Sequence, residues 1–166
     1  MEHTTASAGS AANQHEGPSR FDDWLAIQNL IFTYAEMVDT GRFEEAAALF
    51  EHADYGHAGR NGQPDQMQHG SAEVLGYMVE TTLHDGSPRT RHVNTNVIIE
   101  LDGDTATSRC YLTVFQQTDA LPLQPIATAR YVDRFERAED GWRFTYRFVT
   151  DGMGGDTSQH KAPTPH

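Results

Sequence analysis

The sequence has little cysteine and no long apolar run. Its 166 residues include one cysteine, Cys110, so no intrachain disulfide can form and no Cys-x-x-Cys pair is available for zinc binding or redox chemistry. No stretch approaches the roughly 18 consecutive apolar residues of a membrane-spanning helix. The N-terminus also lacks the basic-then-apolar pattern of a secretory signal. We therefore expect a cytoplasmic protein whose stability comes from core packing.

Basic residues are also scarce relative to acidic ones. Twelve Lys and Arg stand against 24 Asp and Glu, a net charge of −12 with the nine histidines counted as neutral. A negative field of this size repels phosphate backbones and anionic lipids, so the composition argues against nucleic acids and membranes as partners. The length suits one domain of ordinary size.

Both ends of the chain are small, polar and without apolar periodicity. Residues 1–19 are predicted to form a disordered tail, because they cannot bury enough surface to offset the entropy of ordering them. Residues 151–166 are predicted to form a flexible tail, or a flap over a site because the segment begins with a glycine-rich run. The folded domain is expected over residues 20–150.

Apolar spacing predicts three helices in the first half of the domain. A stripe at steps of three and four, from Trp24 to Val38, predicts an amphipathic helix that ends near Thr40 and Gly41. A short helix is predicted over residues 43–50. A third is predicted from Ser71, a favourable N-cap residue, to about Leu83.

The second half of the domain follows a period of two, which is typical of strands. Four strands are predicted, over residues 91–101, 105–118, 126–137 and 142–149. In the first, Val93, Thr95, Val97, Ile99 and Leu101 are predicted to share one face. Helices followed by an antiparallel meander describe an α+β domain in which helices cover one face of a curved sheet and help to enclose a pocket.

Three polar residues could serve such a pocket. Asp39 lies on the last turn of the first helix, although a solvated helix end explains it equally well. His92 lies on a polar strand face, and a solvent-facing row is the alternative explanation. Arg147 lies in the last strand, where an exposed partner for an acidic residue is the commoner role; four other arginines compete with it: Arg109, Arg130, Arg134 and Arg143.

The order and spacing of these residues resemble a known family. Three segments, IQNLIFTYAEMVDTGRFEEAAALFE, RTRHVNTNVIIELDGDTATSRCYL and YVDRFERAEDGWRFTYRF, resemble the SnoaL-like branch of the nuclear-transport-factor-2-like superfamily. The resemblance covers about residues 21–149. It implies a cone-shaped α+β barrel with a deep pocket, and the superfamily holds dehydratases, isomerases, polyketide cyclases and proteins that only bind ligands.

The resemblance also implies roles for particular residues. MVDTGR resembles the stretch that carries the catalytic aspartate of scytalone dehydratase and hexachlorocyclohexane dehydrochlorinase, which places that residue at Asp39. RHVNTN resembles the stretch with their catalytic histidine, which places it at His92. An arginine of the dehydrochlorinase matches Arg147. Tyr34 matches the oxyanion-stabilising tyrosine of ketosteroid isomerases.

Some positions depart from these patterns. The dehydrochlorinase has a lysine where this chain has Tyr34, and the isomerases have an aspartate base about where this chain has Ala58. Dehydrochlorination and steroid isomerisation by those mechanisms are therefore disfavoured. Scytalone dehydratase has a second pocket histidine where Cys110 or Tyr111 stands here.

This resemblance, with its departures, predicts a cofactor-independent, dehydratase-like lyase that acts on a small apolar or polycyclic substrate and needs no metal. Asp39 would orient His92, which would remove a proton from carbon. Tyr34, Tyr55 or Arg147 would stabilise the developing oxyanion or the departing hydroxide. The expected substrate-binding residues are Tyr55, His57, Trp24 and Tyr111. The alternatives are a polyketide or epoxide cyclase, an isomerase, or a non-catalytic binding module. The resemblance further implies a homodimer or a homotrimer.

Overall fold

The computed structural model describes residues 19–59 and 62–161, and its architecture confirms the predicted α+β class. The helices are α1 (Arg20–Asp39), α2 (Phe43–Ala48) and α3 (Gly70–Met78). The strands are β1 (Asp54–Ala58), β2 (Pro64–His69), β3 (Thr90–Asp102), β4 (Thr105–Gln116), β5 (Gln124–Ala138) and β6 (Gly141–Gly154). Residues 1–18 and 162–166, which fall in the expected tails, lie outside the described residues.

The six strands form one sheet in the order β2-β1-β6-β5-β4-β3. Strands β3 to β6 form the predicted antiparallel meander, and β1 joins it in parallel with β6. Helix α1 packs across β3 and β6, so it spans the concave side of the sheet. The result is an α+β cone that is open between β2 and β3.

Helix α1 is fixed at both ends by its own sequence. Ser19 and Asp22 form a capping box at the start, in which each side chain accepts a hydrogen bond from the other residue's backbone N–H. At the other end the helix stops at Asp39, before Gly41, whose φ is +75°. A Cβ at Gly41 would lie 2.5 Å from the carbonyl oxygen of Gly86, so only glycine fits there.

Several predicted boundaries differ from the structure. Strands β1 and β2 have no counterpart in the prediction, because both are short and contain glycine or proline rather than β-branched residues. Helix α3 ends at Met78 rather than near Leu83, which is exposed. Strand β6 continues to Gly154, so the first residues of the predicted C-terminal tail belong to the sheet.

The alternation of inward-facing and outward-facing side chains in β3 reverses partway along the strand. His92 and Asn94 lie on the inner face before a register shift between Thr95 and Ile98, and Asn96 has a φ of +53°. After this bulge Val97, Ile99 and Leu101 lie on the inner face. The prediction of one continuous apolar face from Val93 to Leu101 is therefore wrong, because an inserted residue reverses the alternation.

Core and cavity occupy different ends of the same elements. The inner residues of one end, Ile27, Phe50, Phe135 and Phe144, are fully buried and form the packed core. Further along the elements, the inner residues instead line a cavity, and they include Tyr34, Leu112, Tyr131 and Val149. Among the described residues, no helix combines the length and the apolar character needed to cross a membrane.

Candidate functional site

A carboxylate and an imidazole meet where α1 ends and β3 begins. The Oδ1 atom of Asp39 lies 2.5 Å from Nδ1 of His92, and Oδ2 accepts a hydrogen bond from the backbone N–H of His92 at 2.8 Å. Thr90 donates its hydroxyl to Oδ1 at 2.7 Å. The side chains of Asp39 and His92 are each only 10% exposed. The solvated alternatives for both residues therefore do not hold.

These hydrogen bonds decide the charge state of Asp39. Burial raises the pKa of the carboxyl group, but the hydrogen bonds and charge of His92, with the hydroxyl of Thr90, outweigh that cost and leave the pKa lowered. Asp39 is consequently ionised at neutral pH. An ionised carboxylate at Nδ1 keeps the proton on that nitrogen, so Nε2 of the neutral ring is left as the basic atom.

The cavity beside His92 has a volume of about 350 Å³ and is lined mainly by aromatic and aliphatic side chains. Three of the residues named from the sequence, Tyr34, Tyr55 and His57, line it together with His92. The hydroxyl oxygens of Tyr34 and Tyr55 are 3.3 Å apart. Tyr131 packs edge-on against Tyr34 and completes this aromatic wall.

The tyrosines act as neutral hydrogen-bond donors. Burial raises the pKa of Tyr34, and it raises the pKa values of Tyr55 and Tyr131 well above the ordinary value. Their hydroxyls therefore stay protonated at neutral pH. A protonated phenol in a sheltered cavity can stabilise an oxygen that gains negative charge during a reaction.

A second set of polar residues lines the cavity around Tyr77. His57 packs between Tyr55 and Tyr77, with ring centroids 5.3 and 4.9 Å away. The ammonium of Lys161 lies 4.4 Å from the centre of the Tyr77 ring and 3.4 Å from its hydroxyl oxygen. His160 also lines the cavity. Residues 152–154, 160 and 161 thus bring the end of the described chain to the site.

Arg147 lies under the cavity rather than in it. It is fully buried and donates two hydrogen bonds to Asp133, at 2.8 and 2.7 Å. Its guanidinium carbon lies 4.5 Å from the ring centre of Tyr34 and 4.1 Å from that of Tyr131. The tyrosine rings therefore separate Arg147 from the cavity, and the predicted direct contact with substrate is wrong.

Two predicted substrate contacts are also placed elsewhere. Tyr111 is 50% exposed on the outer face of β4, because its neighbour Leu112 takes the inner position in the alternating strand. Trp24 is ten residues before Tyr34, which corresponds to about 15 Å of helix. Its ring stacks on Phe21, so Trp24 does not line the cavity.

Five residues of this site are not predicted from the sequence: Thr90, Tyr77, Tyr131, His160 and Lys161. One signal was present, because Lys161 is the sole lysine of the chain. The others fall in ordinary strand and helix patterns and carry no distinguishing spacing. Within residues 19–59 and 62–161, no group of three or more His, Cys, Asp or Glu side chains is placed to hold a metal ion.

Comparison with known proteins agrees with this architecture. Residues 19–147 match the family model described as a SnoaL-like domain. An uncharacterized protein of Mycobacterium tuberculosis is 28% identical over 138 residues, which cover 80% of this chain and 87% of that protein.

Two solved structures from Novosphingobium aromaticivorans share the fold. An NTF2-like protein with a cystatin-like fold superposes with a TM-score of 0.65 at 22% identity and covers 78% of this chain and 81% of its own. A scytalone dehydratase-like protein gives a TM-score of 0.64 at 20% identity, covering 88% and 95%.

Proposed function

The chain belongs to the SnoaL-like family, and from that premise we propose that it is a lyase of the dehydratase type that works without a cofactor. The proposed substrate is a small aromatic or polycyclic compound with an acidic C–H bond next to a carbonyl group. His92 removes that proton, and a hydroxyl or another leaving group departs from the neighbouring carbon. A scytalone dehydratase-like protein shares the fold, and we extend its reaction class to this chain.

One observation carries this proposal: the hydrogen bond between Asp39 and His92 occurs beside a cavity. Asp39 fixes the tautomer and orientation of the ring and stabilises the imidazolium that forms when His92 takes the proton. Within the described residues Nε2 of His92 has no hydrogen-bond partner, while the ring lines the cavity. A purely structural imidazole normally has both nitrogens satisfied.

The tyrosines supply the second component of the proposed mechanism. As the C–H bond breaks, the carbonyl oxygen becomes an enolate oxygen. Tyr34 and Tyr55 hold neutral hydroxyl groups within hydrogen-bond distance of each other in the cavity wall. A hydrogen bond to the enolate oxygen strengthens as charge develops, so it favours the transition state over the ground state.

The proposed base is tested with 3-hydroxy-1-tetralone, a bicyclic β-hydroxyketone that yields 1-naphthol when it loses one water. Mass spectrometry and absorbance follow the product. Asp39→Asn and His92→Gln should each lower the rate by roughly 10²–10⁴, the usual contribution of a positioned acid–base group. Exchange of the α-protons of 1-tetralone with deuterated water, followed by NMR, tests proton removal alone.

A matched control is available on the surface. His69 forms the same kind of pair with Asp54, at 2.8 Å, but their side chains are 65% and 50% exposed. His69→Gln should leave both rates unchanged. Full activity in Asp39→Asn or His92→Gln would reject the mechanism. A product of unchanged mass would instead assign the same groups to isomerisation or cyclisation.

A further inference from the structure

The single lysine of the chain lies at the cavity. Lys161 places its ammonium over the ring of Tyr77 and within 3.4 Å of the Tyr77 hydroxyl oxygen. Among the described residues that line the cavity, no arginine is present, so Lys161 is the basic side chain there other than histidine. In a chain of net charge −12, a basic side chain at the cavity is unusual.

No described carboxylate neutralises the charge of Lys161. Within residues 19–59 and 62–161 no carboxylate forms an ion pair with its ammonium, whose neighbours are the ring and hydroxyl of Tyr77. The buried cation closest to the cavity, Arg147, differs in this respect because Asp133 takes two of its hydrogen bonds. Lys161 therefore keeps its capacity to bind an anion.

Two imidazoles next to Lys161 are also unsatisfied. Nε2 of His57 and Nδ1 of His160 are shielded from solvent and have no hydrogen-bond partner among the described residues. Burial, together with the charge of Lys161, lowers the pKa of His57 to about 4. Burial, His92 and Lys161 lower the pKa of His160 to about 4. Both rings are neutral at pH 7, so each can donate a hydrogen bond from one nitrogen.

The end of the described chain is held in place by backbone contacts. Thr81 and Lys161 form an antiparallel bridge, and the backbone N–H of Thr82 donates to the carbonyl of His160 at 2.8 Å. Gln116 donates its side-chain amide to the carbonyl of Gln159 at 3.2 Å. The position of Lys161 at the cavity is therefore part of the fold.

We propose that Lys161 and His57 form a subsite for the carboxylate of an aromatic or polycyclic substrate. The ammonium neutralises the carboxylate, the imidazole of His57 donates a hydrogen bond to it, and the aromatic walls enclose the ring system. The net negative charge of the protein repels such a ligand at long range, so a local cation is needed to hold it.

This subsite would orient the substrate for the reaction proposed above, and in that respect it rests on the proposed function. His57 and Lys161 lie around Tyr77, whereas His92 lies beside the end of α1. A carboxylate held by Lys161 would leave the ring system in the cavity that His92 also lines. Such binding acts on substrate and transition state alike, so its loss should raise KM and leave kcat nearly unchanged.

The test compares 2-naphthoate with 2-naphthamide, a neutral compound of nearly the same shape, by isothermal titration calorimetry. The wild-type protein should bind the naphthoate about tenfold more tightly, as expected for a hydrogen bond to a charged group. Lys161→Met should abolish this preference, and Lys161→Arg should retain most of it. Arg109→Met is the matched control, because it removes one positive charge that is exposed and paired with Glu100.

Each remaining outcome overturns the subsite. These are equal affinity of the two probes for the wild-type protein, no saturable binding of the naphthoate at millimolar concentration, a preference that persists in Lys161→Met, and an equal loss in Arg109→Met. The measurement needs no turnover, so His92→Gln should keep the naphthoate preference. If the wild-type protein prefers the naphthoate but has no activity on the tetralones, only the proposed reaction is rejected. If it is active on the tetralones but shows no preference for the naphthoate, only the subsite is rejected.

Discussion

Two of the three buried carboxylates among the described residues, Asp39 and Asp133, pair with a nitrogen-bearing side chain near the cavity, but only the first pair borders it. Asp39 joins the end of α1 to His92 in β3, 53 residues away, and the two side chains are each 10% exposed. Asp133 joins Arg147, its register partner on the neighbouring strand, and both side chains are fully buried. The first pair borders the cavity and the second lies beneath it.

The two pairs differ in whether an unpartnered nitrogen atom reaches the cavity. One nitrogen of His92 is bound by Asp39, and the other has no hydrogen-bond partner among the described residues. Arg147 donates hydrogen bonds from Nε and Nη2 to Asp133. Its Nη1 atom has no hydrogen-bond partner among the described residues, but it is buried, and the rings of Tyr34 and Tyr131 lie over the guanidinium group. A charged residue near a cavity is thus a candidate for chemistry only when a polar atom remains that faces the ligand.

Removing Arg147 from its pair with Asp133 should have the largest effect on stability. Arg147→Met leaves Asp133 as a buried carboxylate whose remaining side-chain donor is the hydroxyl of Ser108 at 3.3 Å. Breaking a buried ion pair in this way costs about 3–5 kcal/mol. Urea denaturation measures the loss. The double variant Asp133→Leu/Arg147→Met, which removes both charges, should recover much of it, and a cost below about 1 kcal/mol for the single variant would contradict this role.

Acid should destabilise the cavity region through two of its histidines. The folded protein holds the pKa values of His57 and His160 at about 4, below the ordinary 6.5. The unfolded chain therefore takes up protons first. The stability contributed by the neutral rings is complete above pH 6.5 and is lost as the pH falls toward 4.

At pH 5 this loss amounts to on the order of 1–2 kcal/mol for each ring. Thermal unfolding at pH 7.5 and pH 5 measures it. The double variant His57→Gln/His160→Gln should lose less stability between these two pH values than the wild-type protein does. An equal loss in both proteins would show that other groups govern the acid sensitivity.

The smallest expected effect comes from the third hydrogen bond to Asp39. Thr90→Val keeps the shape of the side chain and removes one donor, which should cost about 1 kcal/mol of stability. Because hydrogen bonds to the charged carboxylate lower its pKa, the pKa of Asp39 should rise. NMR titration of the Asp39 carboxyl carbon measures this rise, and an unchanged pKa would contradict this contribution of Thr90.

The meander and the long helix were predictable because their patterns extend over many residues. The stripe from Trp24 to Val38 gives α1, and alternation gives β3 to β6 within a few residues. Strand β1 was not predictable in this way, since its pairing with β6 in parallel is a long-range contact with no local signal. The sequence alternation also could not reveal the bulge at Asn96, because the inserted residue looks like any other polar position.

The site was predictable only in part. The resemblance drew attention to Asp39 and His92, and the structure brings those two side chains together. It also pointed to Arg147, whose strand position gives no indication that Asp133 on the neighbouring strand takes its charge. Lys161 lies in a polar, glycine-rich end, where periodicity carries no information about what the residue contacts.

Asp39 receives both N–H groups of one residue, the ring N–H and the backbone N–H of His92. The carboxylate therefore links the end of α1 to the start of β3. Movement of α1 away from β3 would break both contacts together with the one from Thr90. The wall between α1 and β3 is therefore held by three hydrogen bonds to one carboxylate, and entry of a ligand should involve movement of the other walls of the cavity.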